Sequence, residues 1–400
     1  MRNLLKFTTL SLVTATTIYA GGYKIPETST NGAALSAANI AHAHGADTAY
    51  YNPANMIFME DENNIEADLI YIGLDPVNFK GSGAQAGDNI DAKSESFIIP
   101  SINYVSPKLG NARVGLSIVV PAGLSKRWSD SPAVDKAEEF TLEVVEINPT
   151  AAFKVTDTFA VAVGLRAVYS SGIVKSSSSA SRDMTGDSLD VGYNLALAYK
   201  PTKALEFGVT YRSNIELHEE GNAKLSIGNA KVYDGGSSVT VPLPAALNLA
   251  AAYTFESDTT VEIVYEKTYW SAYKTLDFNY VSPISPILVP SFDDPIAKDW
   301  KDSEAYRLGI TQELDGMTLM AGMVYDNSPI PDAKVSYELP DSNSLSISLG
   351  GRYDISDTLN VGISALYSMR EDRDVKNDDI EGTFSNSNVL IMSAGLGYKF

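Results

Sequence analysis

The sequence predicts an all-β fold, a fourteen-stranded antiparallel transmembrane β-barrel with an N-terminal plug in its lumen. Three observations predict it. Apolar residues recur at every second position in segment after segment. The gaps between those segments alternate between short and long. The last segment, Asn388–Phe400, is itself such a stripe and carries an aromatic residue at its end.

Stepping back by two from Phe400 gives Tyr398, Leu396, Ala394, Met392 and Leu390, while Lys399, Gly397, Gly395 and Ser393 form the other face. Period-2 alternation of this kind marks a strand whose two faces meet different surroundings. Taken alone, it fits the edge strand of a soluble sandwich as well as a membrane barrel. It resembles the closing strand of bacterial outer-membrane barrels, in which a terminal Phe belongs to the assembly signal. That resemblance implies roles for Phe400, Tyr398 and Leu396 in recognition by the barrel assembly machinery.

Residues 1–20 carry Arg2 and Lys6 ahead of a short apolar and hydroxylated run ending at Ala20. This is the pattern of a secretory signal peptide, with a hydrophobic centre too brief to span a bilayer. Its removal takes the net charge from −20 to −22, because two cations leave. An acidic balance argues against nucleic acid as a partner, since phosphate backbones are held by clustered Lys and Arg. The chain has no Cys, so it has neither disulfides nor thiolate metal sites. After the signal no apolar run is long enough for a spanning helix, so any membrane crossing is made by strands.

The fourteen stripes centre near Leu69, Ile102, Leu116, Ile147, Leu165, Leu195, Val209, Leu247, Ile263, Leu308, Met320, Leu349, Ile363 and Leu396. Several end in Tyr, as aromatic girdles do at the headgroup level. Short polar turns fall at Lys108–Asn111, Thr156–Thr158, Pro201–Lys203, Glu256–Thr259, Asp315–Gly316 and Ser356–Thr358. Long polar excursions fall between them, at Asp75–Ser94, Leu124–Ala137, Ser176–Asp187, Glu219–Gly236, Asp277–Asp299, Asn327–Asn343 and Glu371–Asn386. A barrel with periplasmic turns and extracellular loops requires this segregation, and a soluble sandwich does not. The expected organisation is therefore signal peptide 1–20, plug 21–60 and barrel 61–400.

The plug segment does not alternate and is rich in Ala and Gly, which suits close packing in a narrow space. Its Gly22-Tyr23-Lys24-Ile25-Pro26-Glu27, Asp47-Thr48-Ala49 and Asn52-Pro53-Ala54 resemble the N-terminal hatch of the FadL/TodX outer-membrane transporter family. Val120-Pro121-Ala122-Gly123-Leu124, Trp300-Lys301-Asp302 with Ala305-Tyr306-Arg307, and Asp326-Asn327-Ser328-Pro329-Ile330-Pro331 extend the resemblance in order along the mature chain. The departure is the short, Ser-rich Ser176–Asp187, where family members carry a long, partly helical loop. The resemblance implies passive uptake of a hydrophobic small molecule, a fatty acid or hydrocarbon, by a non-enzymatic channel without cofactor. A general porin or an adhesin on the same barrel is the alternative.

Burial of apolar matter yields about 0.8 kcal/mol per CH₂, so an apolar pocket takes up such a cargo without an energy source. A sideways exit needs a break in a strand ladder. Pro121, which lacks an N–H, and Gly123 supply one in the stretch Val120-Pro121-Ala122-Gly123, or Pro121 simply ends a strand. Asn52-Pro53-Ala54 is a turn initiator as plain sequence, and the resemblance makes it a gating element that holds the hatch near the break. By parity Lys301 and Arg307 face the lumen, where a cation suits a carboxylate head group or a salt bridge in the wall. The wall is the better reading for Arg307, together with Arg166, Arg212, Arg352, Glu206, Glu262 and Glu266. Lys175 lies near a second basic position of the family but on the wrong parity. His42, His44 and Asp47 read as structural rather than metal-binding, and His218 has no Ser and acid spaced for hydrolysis. The remaining partners expected are outer-membrane lipid and lipopolysaccharide, with the protein a monomer.

Overall fold

The computed structural model describes residues 21–400, so the expected signal peptide lies outside the described residues. The chain forms a closed antiparallel barrel of fourteen strands. They are β1 (Asn64–Leu74), β2 (Glu95–Val105), β3 (Ala112–Arg127), β4 (Glu139–Lys154), β5 (Phe159–Ser177), β6 (Ala180–Tyr199) and β7 (Leu205–Arg212 with Ile215–Ile227). There follow β8 (Ala230–Leu243 with Ala246–Thr254), β9 (Thr259–Thr268), β10 (Ser303–Leu314), β11 (Met317–Asp326), β12 (Ser344–Asp354), β13 (Leu359–Arg370) and β14 (Val389–Lys399). All the stripes read from the sequence lie on these strands in order.

Each strand alternates as its stripe requires. On β14, Leu390, Met392, Leu396 and Tyr398 are exposed outward, whereas Val389, Ile391 and Ser393 are buried inward. An exposed apolar belt around a barrel with polar ends is a surface made for lipid. The ring of Tyr398 stacks on Phe400 at 5.6 Å, and the Phe400 backbone exchanges hydrogen bonds with Asn63 at 3.1 Å. β14 thus closes on β1 through an unbroken ladder from Asn64↔Lys399 to Leu74↔Val389.

Two expected loops are not loops. β5 and β6 stay paired up to Ser177↔Ser181, so Ser176–Asp187 is a tall hairpin with a tight turn. The upper parts of β7 and β8 pair to Ile227↔Ala230, which makes Glu219–Gly236 a second one. Above the membrane the outer face of these strands is polar and only the buried inner face carries apolar residues such as Met184, Ala223 and Leu225, so the outward apolar stripe that marks the lower half disappears. The β3 strand likewise continues to Arg127, past the expected loop start at Leu124. The loops after β1 and β13 meet in a separate four-stranded sheet of Asn78–Gly81, Asn89–Asp91, Arg373–Lys376 and Glu381–Ser385 over the extracellular end.

The segment from Gly21 to Phe58 fills the lumen as a hatch. It holds α1 (Thr30–Ala34), α2 (Thr48–Tyr51) and a 3₁₀ turn at Pro53–Phe58. Ser29 caps α1 by accepting from the Gly32 N–H, and Asn52 caps the 3₁₀ turn by accepting from Ala54 N–H. The wall grips the hatch with charge. Glu262 accepts the N–H groups of Ile40 and Ala41 at 2.7 Å each, and Arg352 donates to Asn31 at 2.6 Å.

Candidate functional site

The sequence of β3 interrupts the wall. Its ladder to β2 runs only from Val105↔Gly115 to Ile102↔Ile118. Above that point β2 pairs with β1 alone. On its other side β3 meets β4 with a register shift between Val119 and Ala122, where Val120 and Pro121 stand opposite the single residue Val145. This is a bulge of one residue, and it switches the inward parity of the strand. Pro121 has no N–H to give a ladder at that position. From Val119 to Lys126 every residue is buried on both faces, so the upper half of β3 has left the lipid surface. The neighbouring Ile98 of β2 remains exposed to it.

The edge that β3 frees is taken by the start of the hatch. Gly123 N–H donates to Tyr23 O at 2.9 Å, Ile25 N–H donates to Pro121 O at 2.8 Å, and Lys24 bridges Ala122. Behind the gap Ile25, Ile72, Phe97, Ile99 and Val120 form an apolar cluster with Ile391. The ladder resumes only at the top, where Lys93 N–H reaches Arg127 O at 2.9 Å and Glu95 accepts from Ser125 and Arg127. The result is a window in the wall, framed above and below and screened inside by three hatch residues, Tyr23, Lys24 and Ile25.

Tyr23 lines the outer of two cavities, and the next residues, Lys24 and Ile25, line the inner one. The outer one is lined by apolar side chains that include Leu142, Val174, Val241, Leu276 and Phe278. Its polar groups are few, chiefly Glu219 and the pair Lys298–Glu338. Burial pushes the Glu338 carboxyl up, but the charge and hydrogen bond of Lys298 outweigh it and hold it below the usual carboxylate range. The inner cavity mixes apolar groups such as Ile25, Ile40 and Leu243 with the charged Arg166, Arg212 and Glu266, and Pro53 and Pro121 both line it. Tyr23 is wedged between Trp270 (centroids 4.6 Å apart) and Trp300 (5.9 Å), and its hydroxyl donates to Pro242 O. Gly22 is required there: at φ +79° an added Cβ would lie 2.5 Å from the Trp270 ring.

The expected site residues fall in different places. Val120, Pro121, Ala122 and Gly123 form the bulge itself and the pairing with the hatch. Asn52 is fully buried and donates to Ile40 O at 2.8 Å and to Leu197 O of β6 at 3.2 Å, so its grip on the wall lies on β6 rather than at the gap. Pro53 reaches the cavity beside Pro121, and Ala54 is buried within the hatch turn. Arg307 faces inward as expected and straps the hatch to the wall, donating to Ser36 O at 2.8 Å and pairing with Glu266 at 3.3 Å and Glu27 at 3.8 Å.

Lys301 departs from its expected place. β10 begins at Ser303, so strand parity does not extend to residue 301. Lys301 is exposed, its N–H donates to Pro329 O at 2.9 Å, and it lines neither cavity. Lys175 sits at the top of β5, paired with Glu139 at 2.7 Å. The lysine that does line the outer cavity is Lys298, in an irregular stretch of loop where no periodic signal marks it. Tyr23 was visible only as part of the hatch text. Among the described residues no group of three or more His, Asp or Glu is placed to hold a metal. His42 and His44 lie against one another, with His42 bonded to Glu206 at 2.7 Å.

Comparison with known proteins agrees with this architecture. The chain is 24% identical over 402 residues to the long-chain fatty acid transport protein of Escherichia coli O6:H1, spanning 88% of each chain. It is 22% identical to outer membrane protein P1 of Haemophilus influenzae, spanning 90% of each. The fold matches a crystal structure of a Pseudomonas aeruginosa FadL homologue with a TM-score of 0.83 at 18% identity, over 94% of this chain and 99% of that one. It matches the Ralstonia pickettii toluene transporter TbuX with a TM-score of 0.72 at 17% identity, over 93% and 98%. The family described as outer membrane protein transport protein (OMPP1/FadL/TodX) matches residues 11–400, and this outer-membrane chain belongs to it.

Proposed function

We propose that the protein is a passive channel for hydrophobic compounds, long-chain fatty acids or aromatic and aliphatic hydrocarbons. The cargo enters between the extracellular loops and occupies the outer apolar cavity. It then moves past Tyr23 and leaves sideways into the bilayer through the window between β2 and β3. The observation that carries this reading is the missing β2–β3 ladder with an apolar cluster directly behind it. Sideways release keeps the cargo out of water at every stage, which an axial route past the charged groups of the periplasmic end, among them Glu60, Glu66 and Arg352, does not. The relatives named as fatty acid and toluene transporters support the same class of cargo.

In this reading Asn52, Pro53 and Ala54 hold the body of the hatch still while the strand Tyr23–Ile25 moves. Phe400, Tyr398 and Leu396 form the assembly signal read by the barrel assembly machinery. The protein works as a monomer among outer-membrane lipid and lipopolysaccharide, and it catalyses no reaction. A general porin is disfavoured by a lumen that the hatch fills with buried side chains. Reconstituted protein is expected to speed transfer of a fluorescent long-chain fatty acid into vesicles while giving no steady ionic conductance in a planar bilayer. Open-channel conductance without hydrophobic transfer would establish the porin instead.

A further inference from the structure

We propose that Glu219 accepts a hydrogen bond from the cargo, and that the outer cavity therefore selects apolar molecules with a hydroxyl group, such as a long-chain alcohol or an alkylphenol, over hydrocarbons without one. The inference rests on the uptake function proposed above and names a specificity-determining residue in the same cavity. Glu219 lies on the inward face of β7 above the membrane, between His218 and Glu220, which are exposed on the outer face. It is 4% exposed and lines the outer cavity. The Ser170 hydroxyl serves its carboxyl, but Oε1 is left without a hydrogen-bond partner. Burial pushes the carboxyl up to about 7, and the negative charges of Asp187 and Asp190 raise it further than burial alone.

The wall is shaped around that carboxyl. Gly172 and Gly186 face each other across the β5–β6 ladder, and a Cβ on Gly172 would lie 2.3 Å from Glu219 Oε2. Only bare backbone leaves the carboxyl room there. The other acid of the cavity, Glu338, is paired with Lys298, so the unmatched acceptor is Glu219. A buried acceptor without a donor is costly, and a hydroxyl arriving on the cargo removes that cost through a charge-assisted bond. The chemistry narrows the class. A hydrocarbon leaves Oε1 as it was. An ammonium group has to be stripped of water, at a cost that a single carboxylate does not repay. An ionised carboxylate brings a further negative charge beside Asp187 and Asp190. A neutral O–H costs far less to desolvate than either ion and matches one free oxygen. A fatty acid meets the same requirement in its protonated form.

The test uses the full-length protein in lipid nanodiscs, with quenching of Trp300, which lines the cavity, by a doxyl-labelled octadecanol and by its methyl ether. The ether keeps the oxygen and the chain but has no O–H to donate. The alcohol is expected to bind about tenfold more tightly than the ether, as a hydrogen bond to a buried charged group implies. Glu219→Leu should bring the alcohol down to the level of the ether. Glu219→Gln, whose amide oxygen still accepts, should keep part of the preference. A native protein that binds both probes alike contradicts the inference without recourse to any variant and leaves the uptake function standing. A Glu219→Leu protein, folded by its heat-modifiable migration, that keeps the full preference also contradicts it. If neither probe quenches the native protein, the uptake function beneath the inference fails as well.

Discussion

The barrel has two seams that look alike in sequence and differ in structure. Where β14 meets β1, the ladder is continuous from Asn64↔Lys399 to Leu74↔Val389 and ends in the bonds between Asn63 and Phe400. Where β2 meets β3, the ladder stops after Ile102↔Ile118, and the freed edge of β3 is covered from inside by Tyr23, Lys24 and Ile25. Both seams join strands of alternating apolar residues. The difference comes from one extra residue at Val120–Pro121 and one missing N–H. A barrel is closed by hydrogen bonds rather than by hydrophobicity, so a single bulge suffices to open it while the lipid face continues on either side.

If the open seam is the exit, pinning its inner screen should have the largest effect. Lys24 and Ala122 are bridge partners, and the chain has no native Cys, so Lys24→Cys with Ala122→Cys gives one designed disulfide. Oxidised protein should lose most of its fatty acid transfer and regain it with reductant. Next in size is Arg307→Ala, which leaves Glu27 without a cation and Glu266 with Lys24 alone inside the barrel. A loss of about 3–5 kcal/mol is expected in urea unfolding followed by tryptophan fluorescence, because an uncompensated buried charge remains. At the closed seam, Phe400→Ala removes a lipid-facing stack on Tyr398, and the folded barrel should lose only about 1 kcal/mol. Lys301→Ala should change neither stability nor transfer, since its side chain is exposed and lines neither cavity.

The legible part of the molecule was the part in lipid. Stripes such as Leu359, Val361 and Ile363 exist because one face of each strand meets hydrocarbon, so strand number and order could be read directly. In the upper halves of β5 to β8 the outer face meets water and only the buried inner face is apolar, so no lipid-facing stripe marks them, and Ser176–Asp187 and Glu219–Gly236 consequently read as loops. The bulge was legible through Pro121 and Gly123, whose backbone chemistry is local. The pairing of Tyr23–Ile25 with it was not, because nothing local records a partner almost a hundred residues away. The same limit explains Lys301. Parity was carried two residues beyond the strand, whereas Lys298 acquires its surroundings from loop packing, where it pairs with Glu338.

The account turns on the bulge at Pro121, and deletion of that one residue tests it most directly. Without it Val120 would stand opposite Val145, the parity of β3 would run unbroken, and its upper half could return to β2. A variant lacking Pro121 that still folds, judged by heat-modifiable migration, should transfer a long-chain fatty acid at least about tenfold more slowly than the native protein, as expected when a gated route is closed. Transfer at the native rate through a barrel with a regular β3 would contradict sideways exit.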